Sequence, residues 1–284
     1  MSSSLAQALR ALCCRRGLSR CGIKTRIVDK RGTKVFNGQA DGLHCRTLEI
    51  FDSFGFAHRA SRELNYMIEI CLWNPDENGR IRRSDRFPDT IPQISRFQQV
   101  VLHQGRIERF FLNSMKEHGN LTVERGVLPV SFVIDEAKAA DFDNYPISQH
   151  QKSADGQRAV VDYGLSRSNL VADDTDDLIM AATADSSRDG QVDLVKAKFL
   201  VGCDGAHSWV RHQAGFKMEG DSTDYIWRTL DIVTIIDFPD IRHLCAIHSA
   251  NAGTIMVIPR ENKLVRLYIQ LQATSCNTNG EKAD

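Results

Sequence analysis

The clearest alternation of apolar and polar side chains lies at 253–272, in GTIMVIPRENKLVRLYIQLQ. A period of two predicts two strands, joined by the polar turn Glu261-Asn262-Lys263. On the returning strand Val265, Leu267 and Ile269 fall on one face, and Arg266, Tyr268 and Gln270 on the other. The first face is predicted to be core, and the second is polar and placed to line a site.

Helical spacing takes over in CRTLEIFDSFGF at 45–56, which turns Leu48, Phe51 and Phe54 inward. It returns in QQVVLHQGRIERFFLNSMKEHG at 98–119, an amphipathic helical region stopped by Gly119. Strands are expected in YMIEICLW, LTVERG and SFVI, and KAKFLVGCDG reads as a strand running into a turn. AHSWVRHQAG then reads as a helix ended by Gly215. The acidic cluster DDTDD at 173–177 carries no histidine or glycine-turn pattern, so it is expected to be a solvated loop rather than a metal site. The tail ATSCNTNGEKAD is expected to be disordered.

Near the N-terminus, Gly22 marks a helix end, and a short apolar strand, Thr25-Arg26-Ile27-Val28, ends on Asp29. In a nucleotide-binding βαβ unit a carboxylate at that point hydrogen-bonds a ribose hydroxyl. A first strand and a G-x-G-x-x-G turn belong about 20 residues upstream. The sequence has SSSLAQALRALCC there instead. That segment is serine-rich, arginine-rich and free of acidic residues before Asp29, with Ser4 as a helix cap and Leu5, Ala8, Leu9 and Leu12 on one stripe. Such a composition leaves a mitochondrial presequence open beside a cytoplasmic location.

Composition narrows the class. The 284 residues are 42% hydrophobic and 25% charged, ordinary for a soluble globular protein. The 36 basic and 36 acidic side chains cancel, so no net field favours nucleic acid or an anionic membrane. No apolar run approaches the roughly 20 residues that span a bilayer. Eight cysteines are scattered without a C-x-x-C pair, which predicts reduced, independent thiols and no metal site.

Two further stretches carry candidate chemistry. GQADGLHCRTLE places one carboxylate, Asp41, in a flexible glycine-rich loop. GCDGAHSWVR follows an apolar strand: Asp204 can accept from a sugar or polyol chain, Gly205 allows close approach of a cofactor, and the helix start favours a diphosphate. Arg260 and Tyr268 sit on facing parts of one hairpin.

Taken together, these stretches resemble the class A flavoprotein monooxygenases, specifically the phenol 2-monooxygenase (phenol hydroxylase) family. The similarity runs almost continuously from about Gly17 to Gln272. RIVDKRGTKVFNGQADGLHCRTLEIFDSFGF follows the family's segment nearly throughout, with His44 where glutamine is usual, and VGCDGAHSWVR matches its D-G fingerprint. The resemblance implies an α/β fold of the p-hydroxybenzoate hydroxylase type: a three-layer FAD-binding domain interleaved with an incomplete β-rich substrate domain. It implies FAD as cofactor, NADPH and O2 as co-substrates, and oxygen transfer ortho to a phenolic hydroxyl. Asp41, Arg260 and Tyr268 match the family's active-site residues, with a cation beside Tyr268 favouring its ionised form and a proton route from substrate. The FAD contacts implied are Lys30, Arg31, the loop Gly38, Gln39, Ala40, Asp41, Gly42 and Leu43, then Gln104, Asp204 and Tyr268, to which the ribose argument adds Asp29. A homodimer of the family's type stays open.

Relative to that family the chain is expected to be truncated at both ends. The genetic code accounts for the front. One permitted spelling of Met1 to Ala11, read from its third base, encodes V-L-I-V-G-A-G-P-A-G, an apolar strand and glycine turn in order. Residues 1–16 are therefore expected to be an aberrant segment in place of the first strand. The FAD-binding domain is expected at 17–60 and 96–225, a partial substrate domain at 61–95 and 226–272, and a disordered tail at 273–284. The alternatives are a non-catalytic fragment, or a flavin hydroxylase of a larger, polyketide-like aromatic.

Overall fold

A computed structural model describes residues 13–14, 16–31, 41–91, 93–117, 122–141, 143–153, 190–221, 223 and 225–271. The acidic cluster, the tail, nearly all of the N-terminal segment and loop residues Gly38, Gln39 and Ala40 lie outside these. The chain divides into two compact units, the first of residues 1–40 and 103–218, the second of residues 41–102 and 219–284. The second thus takes in residues 41–60 and 96–102, which the sequence reading put with the FAD-binding domain.

In the first unit, residues 16–20 are helical and Gly22, at φ +71°, turns the chain. Strand β1 (Val28–Asp29) pairs in parallel with β7 (Glu124–Arg125). Helix α3 (Gln104–Glu117) is amphipathic as expected, and it buries Ile107, Phe110, Phe111 and Met115 at helical spacing. Its predicted start was too early, because Val100 and Val101 form a short strand. Strands β8 (Val127–Ile134), β9 (Ile147–Ser153) and β10 (Val192–Ala197) form an antiparallel three-stranded sheet in the order β10-β9-β8, with helix α4 (Glu136–Ala139) between the first two. Helix α5 (Trp209–Gln213) ends before Gly215, at φ +76°.

One prediction fails here. Residues 199–203, the apolar run before the D-G turn, belong to no strand, and Phe199 and Val201 are 79% and 62% exposed. An apolar run becomes a strand only when a neighbour takes up its backbone hydrogen bonds, and none of the described sheet ladders includes residues 199–202.

The second unit contains a mixed six-stranded sheet in the order β11-β14-β13-β12-β4-β5. Its strands are β4 (Glu69–Pro75), β5 (Ile81–Pro88), β11 (Ile226–Val233), β12 (Leu244–His248), β13 (Thr254–Pro259) and β14 (Leu264–Leu271). All its pairings are antiparallel except β4 with β12. The predicted hairpin is β13 and β14, turning through Glu261–Lys263 with Asn262 and Lys263 at φ +57° and +63°. Its apolar face packs as predicted: Val257 and Val265 join Cys71 and Cys245 in a buried cluster bordered by Trp73, Phe238, Ile241 and Leu267.

A second small sheet in this unit, of order β2-β6-β3, is built from Gly42–Leu43, Val100–Val101 and Asn65–Tyr66. Helices α1 (Cys45–Ser53) and α2 (Ala57–Ala60) follow β2, and Leu48 and Phe51 are buried as predicted, each contributing about 1.5–3 kcal/mol. Among the described residues no helix is long and apolar enough to cross a membrane.

Candidate functional site

Asp41 occupies the entrance to β2, where its carbonyl accepts from the Leu102 amide at 3.0 Å. This fixes the backbone of a residue whose side chain is almost completely buried, with the residue 3% exposed. Two guanidinium groups flank the carboxylate: Arg260 Nε and Arg266 Nη1 lie 2.9 and 3.0 Å from Oδ2. Both arginines are as buried as the acid, at 2% and 1%. The hairpin explains their arrival. Arg260 stands at the end of β13, held by its amide on the Leu264 carbonyl at 2.9 Å, and Arg266 lies on the polar face of β14.

A second carboxylate completes the cluster. Asp231 faces Arg266 directly across the β11–β14 ladder. It accepts from Arg266 Nε at 2.7 Å and Nη2 at 2.8 Å, and from Arg260 Nη1 at 2.8 Å. Arg260 also donates to Glu261 at 3.2 Å.

The two acids are in opposite states of tension. For Asp231, burial works upward, but the Arg266 hydrogen bonds and the charges of both arginines outweigh it and hold the carboxyl below its ordinary value. For Asp41, burial is the largest influence and raises it; the Arg266 and Arg260 charges oppose this without prevailing, and Glu261 and Asp231 push further upward. The contacts of Asp41 also lack hydrogen-bond angles. Its Oδ2 and Arg260 Nε have no hydrogen-bond partner among the described residues although both are buried. Such groups are rare in folded proteins and concentrate where a ligand or a proton is handled.

Arg260 was expected as the cation beside Tyr268. Arg266 is a cation at that ring, its guanidinium carbon 6.0 Å from the ring centroid. Sequence reading missed Arg266 and Asp231 as site residues. The signal for Arg266 was its position two residues from Tyr268 on the polar face; nothing local marks Asp231.

The remaining candidates lie in the first unit. Asp29 uses both oxygens on the chain's own donors. Oδ1 accepts from the Arg31 amide and Nε at 3.0 and 3.2 Å, and Oδ2 from Arg31 Nη2 and Arg125 Nη1 at 2.7 and 2.9 Å. Burial tends to raise its pKa, yet these bonds and charges hold it below the usual carboxylate range. Arg125 in turn binds Glu108 on α3. With about four lone-pair positions so occupied, Asp29 fixes Arg31 at the strand end, and a ribose hydroxyl would have to replace one of these bonds. Lys30 is exposed, and Gln104 is buried at the start of α3. Asp204 accepts from Ser208 Oγ and from the Val210 amide at 3.0 Å, so it caps α5 together with Ser208, which accepts from the Arg211 amide. Gly205 takes φ +81°, and a Cβ on Gly202 would stand 2.8 Å from that of Val210.

Each unit, taken by itself, holds groups of a kind that a flavin dinucleotide or its substrate requires. A strand-end guanidinium and a glycine-rich turn suit the anionic nucleotide half, and a buried acid with unspent acceptor capacity suits a reacting phenol. The glycine turn that would cradle the pyrophosphate is not among the described residues.

Comparison with known proteins agrees with this reading. The fold is that of the flavin-dependent aromatic hydroxylases. The solved p-nitrophenol 4-monooxygenase PnpA of Pseudomonas putida DLL-E4 superposes with a TM-score of 0.66 at 13% identity, over 95% of this chain and 56% of that one. Residues 12–151 and 165–283 match the family described as FAD binding domain. The chain belongs to that family, among the class A flavoprotein aromatic monooxygenases. It is 32% identical over 252 residues to 3-hydroxybenzoate 4-monooxygenase of Comamonas testosteroni, and 31% over 258 residues to phenol 2-monooxygenase fsqG of Aspergillus fumigatus. Those alignments cover 88% and 90% of this chain but only 34% and 36% of the relatives.

Proposed function

We propose that this chain contributes the flavin and part of the substrate site of an FAD-dependent monooxygenase that hydroxylates a phenolic aromatic with NADPH and O2. The observation that carries the proposal is Asp41: a buried carboxyl raised above its ordinary range although two guanidinium groups stand at ion-pair distance. Relatives named for 3-hydroxybenzoate and phenol support the substrate class.

Asp29, Lys30, Arg31, the loop 38–43, Gln104, Asp204 and Tyr268 would hold the FAD. Bound there and reduced by NADPH, the flavin would supply the oxygen-activating chemistry by which one atom of O2 enters the ring and the other leaves as water. The chain's own task is to make the ring electron-rich. A phenol ionises near pH 10 in water, so a site working at neutral pH must favour the phenolate. The Arg260 and Arg266 charges favour that anion, and Asp41, whose burial raises its pKa, is suited to take up the phenolic proton. Tyr268, under the Arg266 guanidinium, extends the route for the proton away from the ring.

A second reading, that the chain alone retains flavin weakly and turns over little, is favoured by the exposure of the apolar Phe199 and Val201 ahead of the D-G turn. One titration separates the two. The purified 284-residue chain is mixed with FAD, then with NADPH and a panel of phenols and larger aromatics. Stoichiometric flavin binding with phenol-stimulated NADPH oxidation is expected. A colourless protein with no stimulated oxidation would favour the second reading.

A further inference from the structure

The thiol-bearing core of the second unit carries an arrangement that neither the flavin chemistry nor the sequence spacing requires. Cys71 on β4 and Cys245 on β12 are register partners across the parallel pair, and both are fully buried. The turn before β12 brings Asp240 and His243 to the same place. One ligand atom each from Cys71, Asp240 and His243 lie within 4.8 Å of one another. Cys245 Sγ adjoins them, donating to the Asp240 carbonyl at 3.2 Å and set against that of His243 at 3.5 Å.

We infer that Cys71, Asp240 and His243 form a three-ligand site for a thiophilic divalent cation such as Zn2+, its fourth position left to water. Tetrahedral zinc, with bonds of about 2.3 Å to sulfur and 2.0 Å to nitrogen, places its ligands roughly 3.5 Å apart. The observed spread therefore needs a contraction of about 1 Å by the same measure, within the reach of side-chain rotation. A thiol and an imidazole in the donor set select for a soft or borderline ion over Mg2+ or Ca2+.

The surroundings have the form that ligand side chains require. A ligating imidazole donates its other nitrogen to a carboxylate in most metal sites. His243 Nε2 lies 3.6 Å from Glu69 Oε2 and 3.4 Å from Arg86 Nη2, while Nδ1 is buried with no hydrogen-bond partner among the described residues. The carboxylate of Asp240 is held in place by Trp73 Nε1, donating to Oδ2 at 3.0 Å, and Arg83 Nη1, donating to Oδ1 at 2.9 Å. The neighbouring cations are already paired, Arg83 with Asp240 and Arg86 with Glu69. Burial pushes the adjoining Cys245 thiol up to about 12, so it stays protonated beside the site. The ion would staple β4 to the turn before β12, joining segments far apart in sequence.

The test uses the whole chain, purified under reducing conditions and stripped with a chelating resin. One equivalent of Zn2+ is expected to bind and raise the melting temperature, and Co2+ to give a thiolate charge-transfer band. Cys71→Ser and His243→Gln should abolish the band, with His243→Gln weakening Zn2+ at least about 10-fold and Glu69→Gln by a similar factor through loss of orientation. Cys21→Ser, at an exposed thiol, should change nothing. Should Cys71→Ser fail to fold, the partly exposed His243 keeps the test decisive. A folded wild-type chain that takes up no stoichiometric Zn2+, or uptake that survives both ligand substitutions, overturns the assignment.

Discussion

Asp231 and Arg266 meet as a two-pronged pair across neighbouring strands, Nε to Oδ1 at 2.7 Å and Nη2 to Oδ2 at 2.8 Å. They are ladder partners, so the sheet itself sets the geometry. The bond holds a guanidinium against Asp41 on one side and over the Tyr268 ring on the other. The candidate site is therefore organised by a residue pair outside the three positions that first suggested it.

Breaking that pair should be costly. Arg266→Met leaves Asp41 and Asp231 each short of a cation, and a loss of about 3 kcal/mol is expected, the lower end for a buried pair because the Asp231 side chain is 28% exposed. The double variant with Asp231→Asn should recover part of it. Urea unfolding of the four chains gives the coupling directly; additive effects would mean the pair is not a unit.

The two acids should pull stability in opposite directions with pH. Asp231 is depressed, so its contribution is complete above the unfolded carboxylate value of about 3.9 and is lost as pH falls through its lower folded value. Asp41 is raised, so its contribution is complete below about 3.9 and is lost as pH rises through its higher folded value. Asp41→Asn should therefore flatten the stability profile above that point, and Asp231→Asn the profile below it. Carboxyl NMR titration should find Asp41 titrating at higher pH than Asp231; the reverse order contradicts the assignment.

Asp41→Ala should lower phenol hydroxylation by about 10²- to 10⁴-fold, the range for loss of a positioned acid or base, with flavin affinity little changed. Product analysis alongside flavin titration checks both halves. Equal losses in each would move Asp41 from proton handling to cofactor retention.

Gly202→Ala should destabilise the first unit by about 1–3 kcal/mol, since the new methyl would stand 2.8 Å from Val210 Cβ. Pairing it with Val210→Ala should restore most of the loss. Thermal unfolding of the single and double variants decides whether close packing of α5 is the reason for this glycine.

Legibility in the sequence followed the range of the interactions. The hairpin 254–271, helix α1 and the turn at Gly205 rest on neighbours in the chain, and their signals are local. Arg266 was visible as a polar-face residue beside Tyr268, but its partner Asp231 is 35 residues away and only strand pairing makes it a neighbour. The same reason hid Cys71, Asp240 and His243, whose spacing resembles no metal motif until β4 and β12 align. The run 199–203 misled in the other sense: its contiguous apolar residues read as a strand, but Phe199 to Gly202 lie in no strand and Phe199 and Val201 are exposed. Asp29 and Asp204 were legible as acids at a strand end and at a glycine turn, but not as acids already engaged by Arg31, Arg125, Ser208 and Val210.

The most direct measurement of the central claim is the fate of isotopically labelled O2 in a single turnover of the FAD-loaded chain with NADPH and a phenol. The account predicts label in the new ring hydroxyl, and loss of that product in Asp41→Ala while the flavin stays bound. A ring product without label, or labelled product undiminished in Asp41→Ala, would contradict it.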